Sequence, residues 1–241
     1  MDSGRRAWEC ELSTIDSTFL LVGALTAGAY FDGDTADERE IRRLAEELFN
    51  RADWEWALNG GQTVSMGWKP ESGFLPYRLE GYNEALILYV LGLASPTHPI
   101  PPASYAAQAR TYRWTRLYRY DFLFGGPLFV HQLSHMWIDF RAIQDEFMRA
   151  KGIDYFENSR RATYVQQQYA IQNRRRHKGY GENCWGITAS DGPGPASLLL
   201  DGVARKFFDY DARAVHDGPS DRTIAPGAGV ACMPCAPRTL P

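Results

Sequence analysis

Glu84 is a lone carboxylate at the mouth of an almost wholly apolar run, GYNEALILYVLGLASPTHP, from Gly81 to Pro99. A carboxylate drawn out of water costs several kcal/mol unless it is paired or hydrogen-bonded, so its position there needs a chemical reason. Segments rich in aromatic and hydrogen-bonding residues lie on both sides: GWKPESGFLPYRLEGY before it, GGPLFVHQLSHMWIDFR and GYGENCWGITASDGPG after it. An acid surrounded by Trp, Tyr, His, Asn and Gln fits a sugar site, where aromatic faces stack on C–H faces and polar groups bind hydroxyls.

Cleaving a glycosidic bond takes two acidic functions, one to protonate the leaving oxygen and one to activate water or attack carbon. Asp16 is the second candidate, because it too stands at the start of an apolar helix. The competing explanation is the helix macrodipole, which favours an acid in a first turn by about 0.3–1 kcal/mol. Other acids have simpler assignments. Glu157 is expected to pair with Arg160 or Arg161 at helical spacing, Asp139 with Arg141, and Asp191 to serve a turn. Glu182 sits in a glycine-flanked loop whose backbone can approach a ligand, so it joins the substrate-binding candidates.

His131 and His135 are four apart, a metal-ligand spacing, but HQLSH lacks the glutamate of a zincin and no third ligand is evident. No metal site is expected. His131 and Gln132 are read instead as partners for sugar hydroxyls. Trp68, Tyr82, Trp137 and Trp185 are the possible stacking surfaces. Core packing is the expectation for Trp137, and sugar contact for Trp68 and Trp185, which fall in loops. General acid–base chemistry suffices for this reaction, so no organic cofactor is expected.

Six helical segments position these residues. Ser13 or Thr14 can cap the first, which runs to Tyr30, and Asp37–Arg51 is two-faced. Between them and the next helix, Thr63–Trp68 and Phe74–Leu79 read as a short hairpin within a long irregular stretch. Further helices are expected over Glu80–Leu93, Ala103–Tyr112, Gly126–Asp139 and Asp154–Gln172, with another beginning at Ala225. Nearly all-apolar helices thus alternate with amphipathic ones, the pattern of a concentric helical toroid with its loops gathered at one rim.

Composition narrows the classes. The 241 residues suffice for one large domain, and 44% hydrophobic with 23% charged is ordinary for a globular protein. A net charge of −3 gives no electrostatic case for nucleic acid or an anionic membrane. No stretch is long and apolar enough to span a bilayer, and no apolar signal core follows the basic residues of MDSGRRAWECELSTID. The four cysteines form no metal pattern, since Cys232 and Cys235 make a lone CxxC.

The segments WALNGG, GWKPESGFLPYRLEGYNEALILYVLGLASPTHP, GPLFVHQLSHMWIDFR, GIDYFENSRRAT and GYGENCWGITASDGPG, in that order, resemble the bacterial glycoamylase-like domain. That family includes glycoside hydrolase family 144, of endo-β-1,2-glucanase activity, and is related to a domain of cyclic β-1,2-glucan synthases. The resemblance covers about Glu11 to Thr223. It implies an all-α fold, an (α/α)6 toroid with long irregular loops and a short β-hairpin at one rim. It also implies a carboxylate pair at Asp16 and Glu84. Relatives often carry Glu where Asp16 stands and Asp where Ser13 stands, which leaves the acid and base roles open. The expected protein is one glycoamylase-like domain over 1–241, incomplete, with an atypical terminus over 225–241. It would act as a monomer on an oligo- or polysaccharide. A periplasmic or secreted setting is implied by the family and not by any signal peptide. Two alternatives stand beside hydrolysis: a transglycosylase using the same acids, and a non-catalytic or sugar-binding remnant.

Overall fold

The computed structural model describes residues 6–200 and 202–236, and the last residues of the predicted atypical terminus, 237–241, lie outside them. The chain divides into two compact units, Met1–Thr111 and Tyr112–Pro241.

In the first unit, β1 (Leu12–Ser13) leads directly into α1 (Thr14–Tyr30). The Ser13 side chain caps α1 by accepting from the Asp16 backbone N–H at 3.2 Å. Helix α1 buries Thr14, Ile15, Thr18 and Val22 and packs against α2 (Ala36–Asn50) and α4 (Leu86–Ala94). A capping box starts α2: the Glu38 N–H donates to Thr35 Oγ1, and the Thr35 N–H donates to the Glu38 carboxylate. Its charged face carries Arg43, which bridges Glu40 and Glu47. A single turn, α3 (Trp54–Ala57), follows. The expected hairpin forms as β2 (Gly67–Lys69) and β3 (Gly73–Phe74), extended by a bridge between Ser65 and Arg78, and β1 completes a three-stranded antiparallel sheet. Helix α4 buries Leu86, Ile87, Leu88, Tyr89 and Leu91. Helix α5 (Pro102–Ala109) closes the unit.

The second unit opens on a hairpin absent from the sequence reading, β4 (Arg113–Leu117) with β5 (Tyr120–Phe124). The helix expected over Gly126–Asp139 does not form. Two 3₁₀ turns, Leu128–His131 and Leu133–Met136, stand there instead. These turns are tied to a distant segment: the Leu128 N–H donates to the Ile187 carbonyl at 3.2 Å and the Phe129 N–H to Thr188 Oγ1 at 3.1 Å. Helix α6 (Glu146–Lys151) is capped by Asp145. Helix α7 (Tyr155–Gln172) is capped by Asp154 and ends on Asn173 in the left-handed region. Helix α7 packs on β5 and the first 3₁₀ turn, and buried Asn158 bonds both backbone groups of Leu123, as a neighbouring strand would. Strands β6 (Ala189–Ser190) and β9 (Asp211–Ala212) pair, as do β7 (Ala196–Leu200) and β8 (Val203–Phe207). Helix α8 (Pro226–Val230) lies near the end of the described residues. Small antiparallel sheets therefore accompany the helices, and the all-α expectation is corrected to that extent.

Candidate functional site

Asp16 and Glu84 both belong to the first unit, and backbone ties fix the segments that carry them. The Thr14 N–H donates to the Met66 carbonyl at 3.1 Å and Thr14 Oγ1 to the Ser65 carbonyl at 2.7 Å, which locks the start of α1 onto the sheet. The Leu79 N–H donates to the Val64 carbonyl at 2.8 Å, and the Tyr89 hydroxyl stands between the Val64 N–H, 3.4 Å, and the Leu79 carbonyl, 3.2 Å. Gln108 Nε2 donates to the Gly81 carbonyl at 2.8 Å. Helix α4 starts at Leu86 rather than Glu80. Asn83 explains the delay: its Nδ2 donates to the Glu80 carbonyl and its Oδ1 accepts from the Ala85 N–H, a local turn that competes with helix. Glu84 thus projects from a turn held at both ends.

Asp16 is exposed in the first turn of α1, and Glu84 is half-buried. Burial raises the Glu84 carboxyl above the usual glutamate range; its own backbone opposes this, and the negative charge of Asp16 adds to the rise. A carboxylate in the first turn of α1 and one in the turn before α4, 68 positions apart in the chain, therefore act on each other electrostatically. Replacing Tyr89 by Phe removes the hydroxyl between Val64 and Leu79. It is expected to cost about 1–2 kcal/mol in urea unfolding, and an unchanged midpoint would show that the hydroxyl is not part of this frame.

Trp68 lies half-buried in β2, cross-strand from Phe74. Trp56, which sequence reasoning passed over, tilts against Phe74 at 4.6 Å between centroids and meets Trp68 edge-on at 6.0 Å. Trp56 is 41% exposed, so this cluster offers an aromatic surface. The signal was present in WEWALNGG as two tryptophans two apart. Tyr82 is corrected as a stacking surface: at 4% exposure its ring is packed inside.

His131, Gln132, Glu182 and Trp185 belong to the second unit. Trp185 is 5% exposed and packs with Leu128, Ala170, Ala228 and Cys232, so it is a core residue and not a sugar platform. Its loop folds inward because Gly186, at φ +120°, lets the backbone pass close to Ala225 and Gly229. His131 is likewise corrected. It is 2% exposed, near Asn158 and the Phe122 ring, and out of reach of a hydroxyl from solvent. Gln132 Nε2 donates to the Ala228 carbonyl at 2.8 Å and Cys232 Sγ at 2.9 Å, holding α8. Gln132 also lines a cavity of about 470 Å³ with His135, Trp137, Asp139 and Arg141. Trp137, expected in the core, is half-buried at that cavity. Glu182 is exposed at a turn closed by the Gly181–Cys184 bridge. Glu157 pairs with Arg160 and Arg161, and Asp139 with Arg141, as their spacing implied.

Burial, then the charge of His135, pushes the His131 imidazole down to about 3. Burial pushes His135 down to about 4, against the charges of Asp139 and Asp154. An unfolded histidine titrates near 6.5. Below that pH the unfolded chain takes up protons that the folded chain refuses, so stability falls as pH falls, until the folded values are reached. For His131 alone the loss at pH 5 is about 2 kcal/mol. Urea unfolding at pH 7 and pH 5 checks this, and equal free energies at the two values would contradict it.

The family model described as "Putative glucoamylase" matches residues 76–240, more than half of the chain. The chain belongs to the Glycoamylase family. An exo-β-1,2-glucooligosaccharide sophorohydrolase (non-reducing end) of Parabacteroides distasonis is 28% identical over 251 aligned positions, covering 92% of this chain and 32% of that protein. A crystal structure titled a putative glucoamylase from Bacteroides uniformis superposes with a TM-score of 0.80 at 30% identity, covering 94% of this chain and 53% of its own. An endo-β-1,2-glucanase from Chitinophaga pinensis, in complex with sophorotriose and glucose, gives 0.77 at 25% identity, with 94% and 53% covered. This Glycoamylase chain spans about a third of the first relative's length and about half of each of these two solved chains. Among the described residues no helix is long and apolar enough to cross a membrane.

Proposed function

We propose that this Glycoamylase chain is part of a glycoside hydrolase that cleaves β-1,2-linked glucan by general acid–base catalysis at Asp16 and Glu84. What carries the reading is the half-buried place of Glu84 in a turn fixed by Asn83 and Gln108, with the charge of Asp16 acting on it. Asp16 raises Glu84, which burial already favours in its protonated form. A carboxyl whose protonated form is favoured by burial is suited to donate to the leaving glycosidic oxygen, and an exposed carboxylate to activate water. Glu84 is thus assigned as the acid and Asp16 as the base. The aromatic surface of Trp56, Trp68 and Phe74 is the sugar platform in this reading. Glu182, exposed, and Gln132, at its cavity, remain candidate hydroxyl partners.

The linkage is supported by the relatives' names, a sophorohydrolase and an endo-β-1,2-glucanase, and endo cleavage is the preferred mode. The proposed architecture is a portion of an (α/α)6 toroid, supported by apolar α1 and α4 packing together with two-faced α2 on α1. The family match runs across both units, which supports reading them as one domain. A monomer in a periplasmic or secreted setting completes the proposal, carried by the resemblance. Incubation with linear β-1,2-glucan and, separately, β-1,3-glucan tests the function. New reducing ends from the first alone are expected, with mixed oligosaccharides marking endo cleavage. No reducing ends from either would sink the hydrolase, and cyclic or lengthened products would make it a transglycosylase.

A further inference from the structure

The second unit carries a cavity of about 480 Å³ built from the loop after α7, strand β8 and the loop 218–222, well apart in sequence from the proposed acids. Four of its lining side chains are cationic: Arg175, Arg205, Lys206 and Arg222. One carboxylate, Asp221, also lines it, but that group is already engaged. Arg213 Nε and Nη2 donate to its two oxygens at 2.8 and 2.7 Å, and the Phe208 and Thr223 N–H groups donate as well. Among the described residues that line it, the cavity is therefore left with positive charge and no uncommitted carboxylate.

Three buried nitrogens there are unanswered. Arg205 Nε, Arg222 Nε and His177 Nδ1 are buried with no hydrogen-bond partner among the described residues. His177 is 5% exposed, and its other nitrogen, Nε2, is engaged with Ser220 Oγ at 3.2 Å. A buried polar group without a partner costs about 1–3 kcal/mol, and more when charged. Burial, then the charges of Arg222, Arg175 and Arg205, drives the His177 imidazole down to about 4.

We propose that this cavity binds a phosphorylated small molecule, its phosphate held by Arg175, Arg205, Arg222 and His177. Guanidinium groups match phosphate oxygens in geometry as well as charge, and a dianion answers several cations at once. The volume lies in the range of small-molecule sites and exceeds what a bare phosphate fills. Phe207 and Pro219 supply apolar wall for the rest of the ligand.

Calorimetric titration of the 241-residue chain at constant ionic strength tests this, with glucose 6-phosphate, inorganic phosphate, sulfate and glucose as probes. Saturable binding is expected for glucose 6-phosphate, weaker binding for inorganic phosphate, and none for glucose. Arg222→Gln is expected to weaken glucose 6-phosphate about tenfold or more. Arg175→Gln, a change at an exposed side chain that leaves the fold intact, is expected to weaken it too. Absence of saturable binding at millimolar concentration overturns the proposal. So does unchanged affinity in Arg175→Gln, or sulfate binding as tightly as glucose 6-phosphate. Glucan hydrolysis is read separately, so failure here leaves the Glu84 assignment standing, and the reverse holds as well.

Discussion

Glu84→Gln is expected to lower the rate of β-1,2-glucan cleavage by about 10²–10⁴-fold, the range that a positioned general acid contributes. Glutamine keeps the size of the side chain and accepts similar hydrogen bonds, but it has no proton to give the leaving oxygen. The turn that holds Glu84 is made by Asn83, Gly81 and Gln108, none of which is altered, so the variant should melt at or above the parent's temperature. A slight gain is the expected direction, because the burial and the Asp16 charge that disfavour an ionised Glu84 no longer oppose folding. Reducing-end assays and a thermal melt on the same preparation separate the two effects. Retention of full turnover would remove Glu84 from the reaction.

Asp221→Ala should be the most damaging single change to the second unit. Arg213 is buried, with 1% of its side chain exposed, and Asp221 with none. Besides its two bonds to Asp221, Arg213 donates to the carbonyls of Ser190, Phe208 and Asp209, so one guanidinium joins two stretches of backbone, at 190 and at 208–209. Burial alone would raise the Asp221 carboxyl. The Arg213 guanidinium and the Phe208 and Thr223 N–H groups more than offset this and hold it well below the usual aspartate range. Removing the carboxylate leaves a buried cation unbalanced, at a cost of about 3–5 kcal/mol. For a chain of this size that lowers the melting temperature by roughly 6–20 °C. Since the Asp221 value is depressed on folding, its contribution is present above the unfolded aspartate value, near 3.9, and is lost as pH falls below it. Calorimetric melts of parent and variant at pH 7 decide the point, and coincident transitions would show the pair to be dispensable.

The start of α1 was legible in the sequence because its cause is local. Ser13 caps α1 as its position implied. The Glu157 pairings were legible for the same reason, being fixed by helical spacing. What sequence reasoning missed depends on distant partners. Residues 128–136 form 3₁₀ turns rather than the expected helix, and their start is tied to residues 187 and 188, partners far along the chain. The β4–β5 hairpin turns at Tyr118 and Arg119 without the Asn-Gly or Asp-Gly signal of a tight turn, Tyr118 taking φ +55°. Within the candidate site, Asp16 falls in the first turn of α1 as its position implied, while Glu84 stands in a turn before α4 rather than at a helix start. Tyr82 and Trp185 misled, since a glycine-rich loop can fold an aromatic ring inward as readily as it presents one. Trp56 was hidden by the opposite effect, a helical turn leaving it at the surface beside Trp68 and Phe74.

The pairing of the two carboxyl groups is tested most directly by NMR titration of the ¹³C-labelled Glu84 carboxyl in the parent and in Asp16→Asn. The parent group should titrate above the ordinary glutamate range, and its midpoint should move down once the aspartate charge is gone. A midpoint that does not respond to Asp16→Asn would mean that these two acids do not share a site.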